Sequence, residues 1–223
     1  MEDTLEAEAE VLLLLLAIKS NKMKTFNFFV VKLEKLVNDT ITMGDGTELY
    51  IDSKWDEMGE FNHRVTEGPV VASPFKYDTG VKPGDTLYFH HLVVMQGGQV
   101  LTGDDDHYIV KYNEEAINNQ AIAYKSQDDG SIHPLTGWAL LEPVEQEELK
   151  TKSDVIEVVE LKEALPTKGR VAFTSSGIQE IGLNVGDVVG FKENRDYRIT
   201  IDGTEYYRTR TEDLLYVEEV HNG

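Results

Sequence analysis

Val81-Lys82-Pro83-Gly84-Asp85-Thr86-Leu87-Tyr88-Phe89 and Leu183-Asn184-Val185-Gly186-Asp187-Val188-Val189-Gly190-Phe191 carry one pattern, apolar-x-x-Gly-Asp-x-apolar-x-Phe. Read physically, a Gly-Asp turn opens a strand whose alternate residues share a face. Leu87 and Phe89 in the first copy, and Val189 and Phe191 in the second, are the residues expected to point into a core. The flanks repeat in the same order. Gly68-Pro69-Val70-Val71-Ala72-Ser73 parallels Gly169-Arg170-Val171-Ala172-Phe173-Thr174. Tyr108 to Ile117 parallels Tyr206 to Leu215, and Phe28 to Lys32 parallels Ala139 to Pro143. Ordered blocks found twice indicate a duplicated unit.

Around these blocks the chain reads as short runs rich in Val, Tyr, Phe and Thr, bounded by Gly, Pro, Asp or Asn. Strands are expected at Phe26 to Leu33, Val65 to Ala72, Asp85 to Val94, Tyr108 to Tyr112 and Trp138 to Val144. Further strands are expected at Arg170 to Thr174, Asp187 to Phe191, Tyr197 to Ile201 and Glu205 to Thr209, the last two joined by an Asp202-Gly203 hairpin turn. With few helical stretches, the pattern is all-β. The division expected is an N-terminal extension at 1–22, a first barrel at 23–124, a polar linker at 125–134 and a second barrel at 135–223. The extension joins Glu2, Glu6, Glu8 and Glu10 to an apolar run from Val11 to Ile18 that is too short to span a bilayer.

The 223 residues include 21 basic and 41 acidic side chains, a net charge of −20. Such a surface repels phosphate backbones and anionic lipid, so neither nucleic acid nor membrane is an expected partner. Cysteine is absent, which removes disulfides, thiolate nucleophiles and thiolate metal sites. The sequence shows no phosphate-cradling loop, Gly-x-Ser-x-Gly elbow or His-Glu-x-x-His, and no catalytic residue, cofactor or metal is expected. His90 and His91, adjacent in an expected strand, would point to opposite faces and share no ion. Asp104-Asp105-Asp106-His107 reads as a solvated hairpin tip.

The ordered blocks resemble the GroES family of co-chaperonins, which has an opening strand, a long loop, a Gly-x-Val strand, a Val-Lys-x-Gly-Asp-x-Val-x-Phe turn and strand, and a closing acidic segment. Glu212-Asp213-Leu214-Leu215-Tyr216-Val217 is similar to that last element, and Glu114 to Ile117 is its fainter counterpart. The tandem arrangement resembles plastid or phage-encoded members. The resemblance implies two tandem GroES-like β-barrels with long mobile loops, self-association into a ring, and a GroEL-type chaperonin ring as partner. It implies a cytoplasmic co-chaperonin, in a host cytoplasm or, as the other reading, a plastid stroma. Such a protein closes the folding chamber in a nucleotide-dependent way and catalyses nothing.

In that family an apolar tripeptide in the loop docks on the chaperonin. The first loop, Asn38 to Arg64, holds Leu49-Tyr50-Ile51; the second, Lys150 to Lys168, holds Val155, Ile156, Val158 and Val159. An ordinary strand is the competing reading of Leu49 to Ile51. Neither loop carries the family's Gly-Gly-apolar-x-apolar-Pro signature, and the spans 73–84 and 174–186 are short for its roof hairpin. A structural, virion-type ring built on the same barrels is therefore the alternative function.

Overall fold

The computed structural model describes residues 24–38, 40–50, 63–94, 106–114, 119–144 and 167–218. The chain falls into two compact units, Met1–Leu135 and Thr136–Gly223. Each is built on a six-stranded antiparallel sheet, so the fold is all-β.

In the first unit the strands are β1 (Phe28–Lys32), β2 (Thr40–Thr42), β3 (Glu48–Tyr50), β4 (Glu67–Ala72), β5 (Thr86–Phe89), β6 (His107–Lys111), β7 (Ala121–Lys125) and β8 (Ile132–Pro134). Six of them pair in the order β6-β1-β4-β5-β7-β8, while β2 and β3 form a separate two-stranded sheet. Phe29, Val31, Val70, Leu87, Phe89, Val110 and Tyr112 lie in one buried cluster. The expected shared face of Leu87 and Phe89 is thus the core face. Burying each such side chain contributes roughly 1.5–3 kcal/mol against leaving it in water. The rings of Phe29 and Tyr112 meet edge to face, with centroids 5.4 Å apart.

The second unit holds β9 (Trp138–Pro143), β10 (Lys168–Val171), a short helix α1 (Ser176–Glu180), β11 (Val188–Phe191), β12 (Arg198–Ile201), β13 (Thr204–Arg210) and β14 (Leu214–Glu218). Its sheet runs β12-β13-β9-β10-β11-β14. The strand order β13-β9-β10-β11-β14 follows the same path as β6-β1-β4-β5-β7, with β14 in the place of β7 rather than of the Glu114 to Ile117 segment that the sequence blocks set against it. Ala139, Leu141, Val171, Val189, Phe191 and Tyr207 form its core. Ser175 caps α1 by accepting a hydrogen bond from the Ile178 N–H at 3.2 Å.

The Gly-Asp turn is bonded alike in both units. Gly84 N–H donates to the Val70 carbonyl and Val70 N–H to the Asp85 carbonyl, each at 2.8 Å; Gly186 and Val171 make the corresponding pair, as Val171 and Asp187 do, each at 2.9 Å. Gly84 and Gly186 stand at φ +98° and +97°, a region closed to side chains with a Cβ at little cost. Gly68 and Gly169 are required for a different reason. A Cβ there would lie 2.5 Å from Leu33 Cδ2 or 2.7 Å from Leu141 Cβ, because the first strand of each unit packs over the glycine.

Four features differ from the sequence reading. The strand expected over Asp85 to Val94 stops at Phe89, and His91–Val94 is a 3-10 turn. His90 and His91 consequently do not point apart: their rings lie 4.2 Å apart, tilted by 34°. Residues 125–134 contain the end of β7, a turn and β8, rather than a linker. The helix α1 was not expected. The Asp202-Gly203 hairpin forms as expected, with φ +50° and +80°, the twist-matched turn for antiparallel strands. Among the described residues, no helix is long and apolar enough to cross a membrane.

Candidate functional site

Between β1 and β4, where the long loop was expected, the chain folds into the β2–β3 hairpin. Thr40, Ile41 and Thr42 pair with Tyr50, Leu49 and Glu48. β-Branched residues suit such a ladder, and Gly44-Asp45-Gly46 turns it. Met43 N–H donates to the Thr47 carbonyl at 2.8 Å, Gly46 N–H donates to the Met43 carbonyl at 2.9 Å, and Gly46 takes φ +85°. Asp45 Oδ1 accepts from Thr47 N–H at 2.9 Å. That backbone bond, with one from the Thr47 side chain, holds the Asp45 carboxyl below the usual range.

The hairpin presents apolar surface outward. Leu49 is 48% and Tyr50 83% exposed, and Met43 beside the turn is exposed as well. Successive strand residues alternate faces, so Leu49 and Tyr50 display opposite sides of the hairpin. Of the residues singled out from sequence, these two are brought together on β3. Ile51, and Val155, Ile156, Val158 and Val159 in the second loop, lie outside the described residues. Met43 was not singled out; its signal was the β-branched Ile41-Thr42 ahead of a Gly-Asp-Gly turn.

The sequence reading also missed an edge. Among the described residues, β14 pairs with β11 on one side and with no strand on the other. Leu215, Tyr216 and Val217 are all exposed along it. The alternation of a half-buried strand is absent here, because both faces of β14 are open. Its flank is acidic: Glu218 is ion-paired to Lys168, and the buried carboxylate of Asp213 receives Lys192 Nζ at 2.8 Å and Arg195 Nε at 3.2 Å.

Among the described residues no group of three His, Asp or Glu side chains converges. Asp106 instead bonds His107 Nδ1 at 2.8 Å and Lys32 Nζ at 3.4 Å, an arrangement that ties the start of β6 to the end of β1.

Among the described residues, the first unit thus carries an exposed hairpin after its first strand, and the second unit an exposed last strand. The family model for the chaperonin 10 Kd subunit (Cpn10) matches residues 131–217. The co-chaperonin GroES of Coprothermobacter proteolyticus is 34% identical over 93 residues, which are 39% of this chain and 93% of that protein. GroES of Halothermothrix orenii is 33% identical over 93 residues, 40% of this chain and 98% of the relative. GroES of Desulforapulum autotrophicum is 35% identical over 96 residues, 40% of this chain and 99% of the relative. On these matches, which span nearly the whole of each relative, the chain belongs to the Cpn10 family of GroES co-chaperonins.

Proposed function

We propose that the protein is a co-chaperonin that binds the nucleotide-loaded ring of a GroEL-type chaperonin and caps its folding chamber. The observation that carries this reading is the β2–β3 hairpin. It leaves the scaffold between the first strand and the Gly-x-Val strand, the position the family resemblance gives to the chaperonin-contacting loop, and exposes Leu49 and Tyr50 there. Ile51, with Val155, Ile156, Val158 and Val159 of the second loop, completes the proposed contact. The protein then hydrolyses nothing. Its contribution is a difference in affinity between two chaperonin states.

The first unit is, on this reading, a divergent copy of the family domain. The shared strand order, the matched turn hydrogen bonds and the paired glycines support it. So does an irregularity common to both sheets. The β5–β7 ladder slips between Tyr88 and Phe89, and the β11–β14 ladder slips between Gly190 and Phe191, one residue before the same phenylalanine. Chains of two such barrels assemble into a ring that works in the cytoplasm. Each docking contact is small, so several arrayed together supply the affinity.

Size-exclusion chromatography of the protein with a bacterial chaperonin, with and without ADP or ATP, tests the assignment. Nucleotide-dependent co-elution that a Leu49→Ser/Tyr50→Ser variant loses is the expected result. Co-elution unchanged by that variant removes the hairpin from the contact. A ring that ignores every chaperonin offered, the host's own included, favours the structural alternative, for which the open β14 edge is the supporting feature.

A further inference from the structure

The sequence holds three Asp-Gly pairs, Asp45-Gly46, Asp129-Gly130 and Asp202-Gly203, and each sits exposed in the turn of a hairpin. At such a pair a chain can rearrange on itself. Glycine has no Cβ to shield its neighbour, and its amide nitrogen needs only a five-membered ring to reach the aspartate carboxyl carbon. Tips of exposed loops are also where a backbone opens most readily. The three turns differ in what holds those two groups apart.

In the β2–β3 turn, Gly46 N–H donates to the Met43 carbonyl at 2.9 Å, and Asp45 Oδ1 accepts from Thr47 N–H at 2.9 Å. In the β7–β8 turn, Gly130 N–H donates to the Ser126 carbonyl at 2.9 Å. Asp129 Oδ1 there accepts from Ser131 N–H at 2.9 Å and from the Ser131 hydroxyl at 2.5 Å. The attacking nitrogen and the carboxyl group are both engaged in each case. The same bonds favour the ionised carboxylate, which resists attack. The β12–β13 turn is built otherwise. Its two residues stand beyond the last ladder pair, Ile201 with Thr204, so the Gly203 N–H lies outside the ladder. Among the described residues no backbone carbonyl accepts it. Among the described strands, β12 is paired by β13 alone, so this turn opens by fraying one end of one ladder.

We propose that Asp202 is a site of spontaneous backbone isomerisation, converting to isoaspartate while Asp45 and Asp129 are held back by their turns. When the turn opens, the Gly203 nitrogen attacks Cγ of the protonated Asp202 carboxyl. The N–Cγ bond forms, and the carboxyl hydroxyl leaves as water with the amide proton. Water then adds to the Asp202 main-chain carbonyl of the cyclic imide and breaks its bond to the Gly203 nitrogen. The chain now runs through Cβ and Cγ, and a new carboxylate stands on Cα. Mass is unchanged and no oxidant is needed. One extra backbone atom enters a two-residue turn, so the pairing of Ile201 with Thr204 no longer fits. The product is the group that an isoaspartyl carboxyl methyltransferase recognises, which makes the aged turn a substrate for that class of repair enzyme.

The test ages the full-length folded protein at mildly acidic pH in heavy-oxygen water, and a second sample in concentrated guanidinium. Peptides are then resolved by electron-transfer mass spectrometry, whose backbone fragments distinguish isoaspartate from aspartate, and by labelling with an isoaspartyl methyltransferase. In the folded protein, Asp202 is expected to convert about tenfold faster than Asp45 or Asp129, because each of those turns has further hydrogen bonds to break before attack. The peptide carrying Asp202 should gain heavy oxygen and methyl label together. In guanidinium the three pairs should convert at similar rates, since their local chemistry is the same. A folded protein in which Asp45 or Asp129 converts as fast as Asp202 overturns the proposal. So does an Asp202 preference that persists in guanidinium, which would place its cause outside the fold. No chaperonin enters the measurement, so the ageing site and the docking hairpin fail or succeed separately.

Discussion

Asparagine in place of aspartate should separate the two Gly-Asp turns, although their sequences match. Asp85 uses both carboxylate oxygens: Oδ2 accepts from Lys82 N–H at 2.7 Å and Oδ1 from Gln127 N–H at 2.9 Å. It is 3% exposed. Asp187 uses one oxygen, with Oδ2 accepting from Asn184 N–H at 2.8 Å, and is half-buried. Asparagine keeps one acceptor oxygen and sets an N–H₂ where the other stood. At position 187 the amide turns its oxygen to Asn184 and its nitrogen to water. At position 85 one buried N–H must face another. A hydrogen bond to a charged acceptor contributes roughly 1.5–3 kcal/mol, so Asp85→Asn should cost about 2–3 kcal/mol and Asp187→Asn less than about 1 kcal/mol. Hydrogen exchange read by mass spectrometry resolves the units: peptides over β5 and β7 should lose protection in the first variant, and those over β11 should barely change in the second. Equal losses, or a larger one at Asp187, would refute the reasoning that the second oxygen matters.

Three further outcomes follow from the geometry. Arg208 is 8% exposed, and its guanidinium lies over the Tyr197 ring at 5.6 Å. Burial lowers its pKa to about 10. That shift corresponds to about 3 kcal/mol charged against the folded state at neutral pH, a cost relieved only as pH rises through the lowered pKa. Arg208→Met gives up the ring contact and keeps the packing. It should therefore stabilise the protein by about 1–2 kcal/mol in thermal denaturation, and a loss of stability would show that the guanidinium has an acceptor. In the turn before β8, the Ser131 hydroxyl and N–H hold the exposed Asp129 carboxyl down to about 2. The bonds from Ser131 therefore favour the folded turn above about pH 4 and are lost as pH falls toward 2. Carboxyl-carbon NMR should find Asp129 returned toward the ordinary aspartate range in Ser131→Ala. Gly190→Ala puts a Cβ 2.2 Å from the far end of the exposed Tyr216 ring, so the ring should swing off β11 while the strands stay paired; shifted Tyr216 ring NMR signals with unchanged β14 amide protection are expected, and unshifted ring signals would contradict the packing.

Much of the scaffold was legible because its cause is local. Gly84-Asp85 and Gly186-Asp187 announce a turn through a positive φ and a carboxylate that bonds its own loop, and both effects act within a few residues. Leu87 and Phe89 announce a face by period two. β7 was missed for want of such a signal: Ala121-Ile122-Ala123 is buried on both faces, so nothing alternates, and alanine has little strand preference. β8 was missed because three residues ending in Pro134 make a strand only where a neighbour supplies the ladder. His90 and His91 misled because the end of β5 is set by the pairing of Phe89 with Ala121, a long-range fact. For the candidate site, Leu49 and Tyr50 stood out as apolar residues in a polar stretch. That no described strand lies on the outer side of β14 depends on the path of the rest of the chain, which no window of sequence reports.

The place where the family match begins has an evolutionary consequence. A recombination event that exchanged the second domain with a relative's would cut the gene near codon 131, and the incoming piece would bring a new β8 to the resident first unit. Any such hybrid is judged at once on a strand–strand ladder between Ala123 and Lys125 of one lineage and three residues of another. A change at Ala123, Tyr124 or Lys125 is therefore felt at Pro134, His133 or Ile132 through the ladder that pairs them, whichever gene supplied each strand.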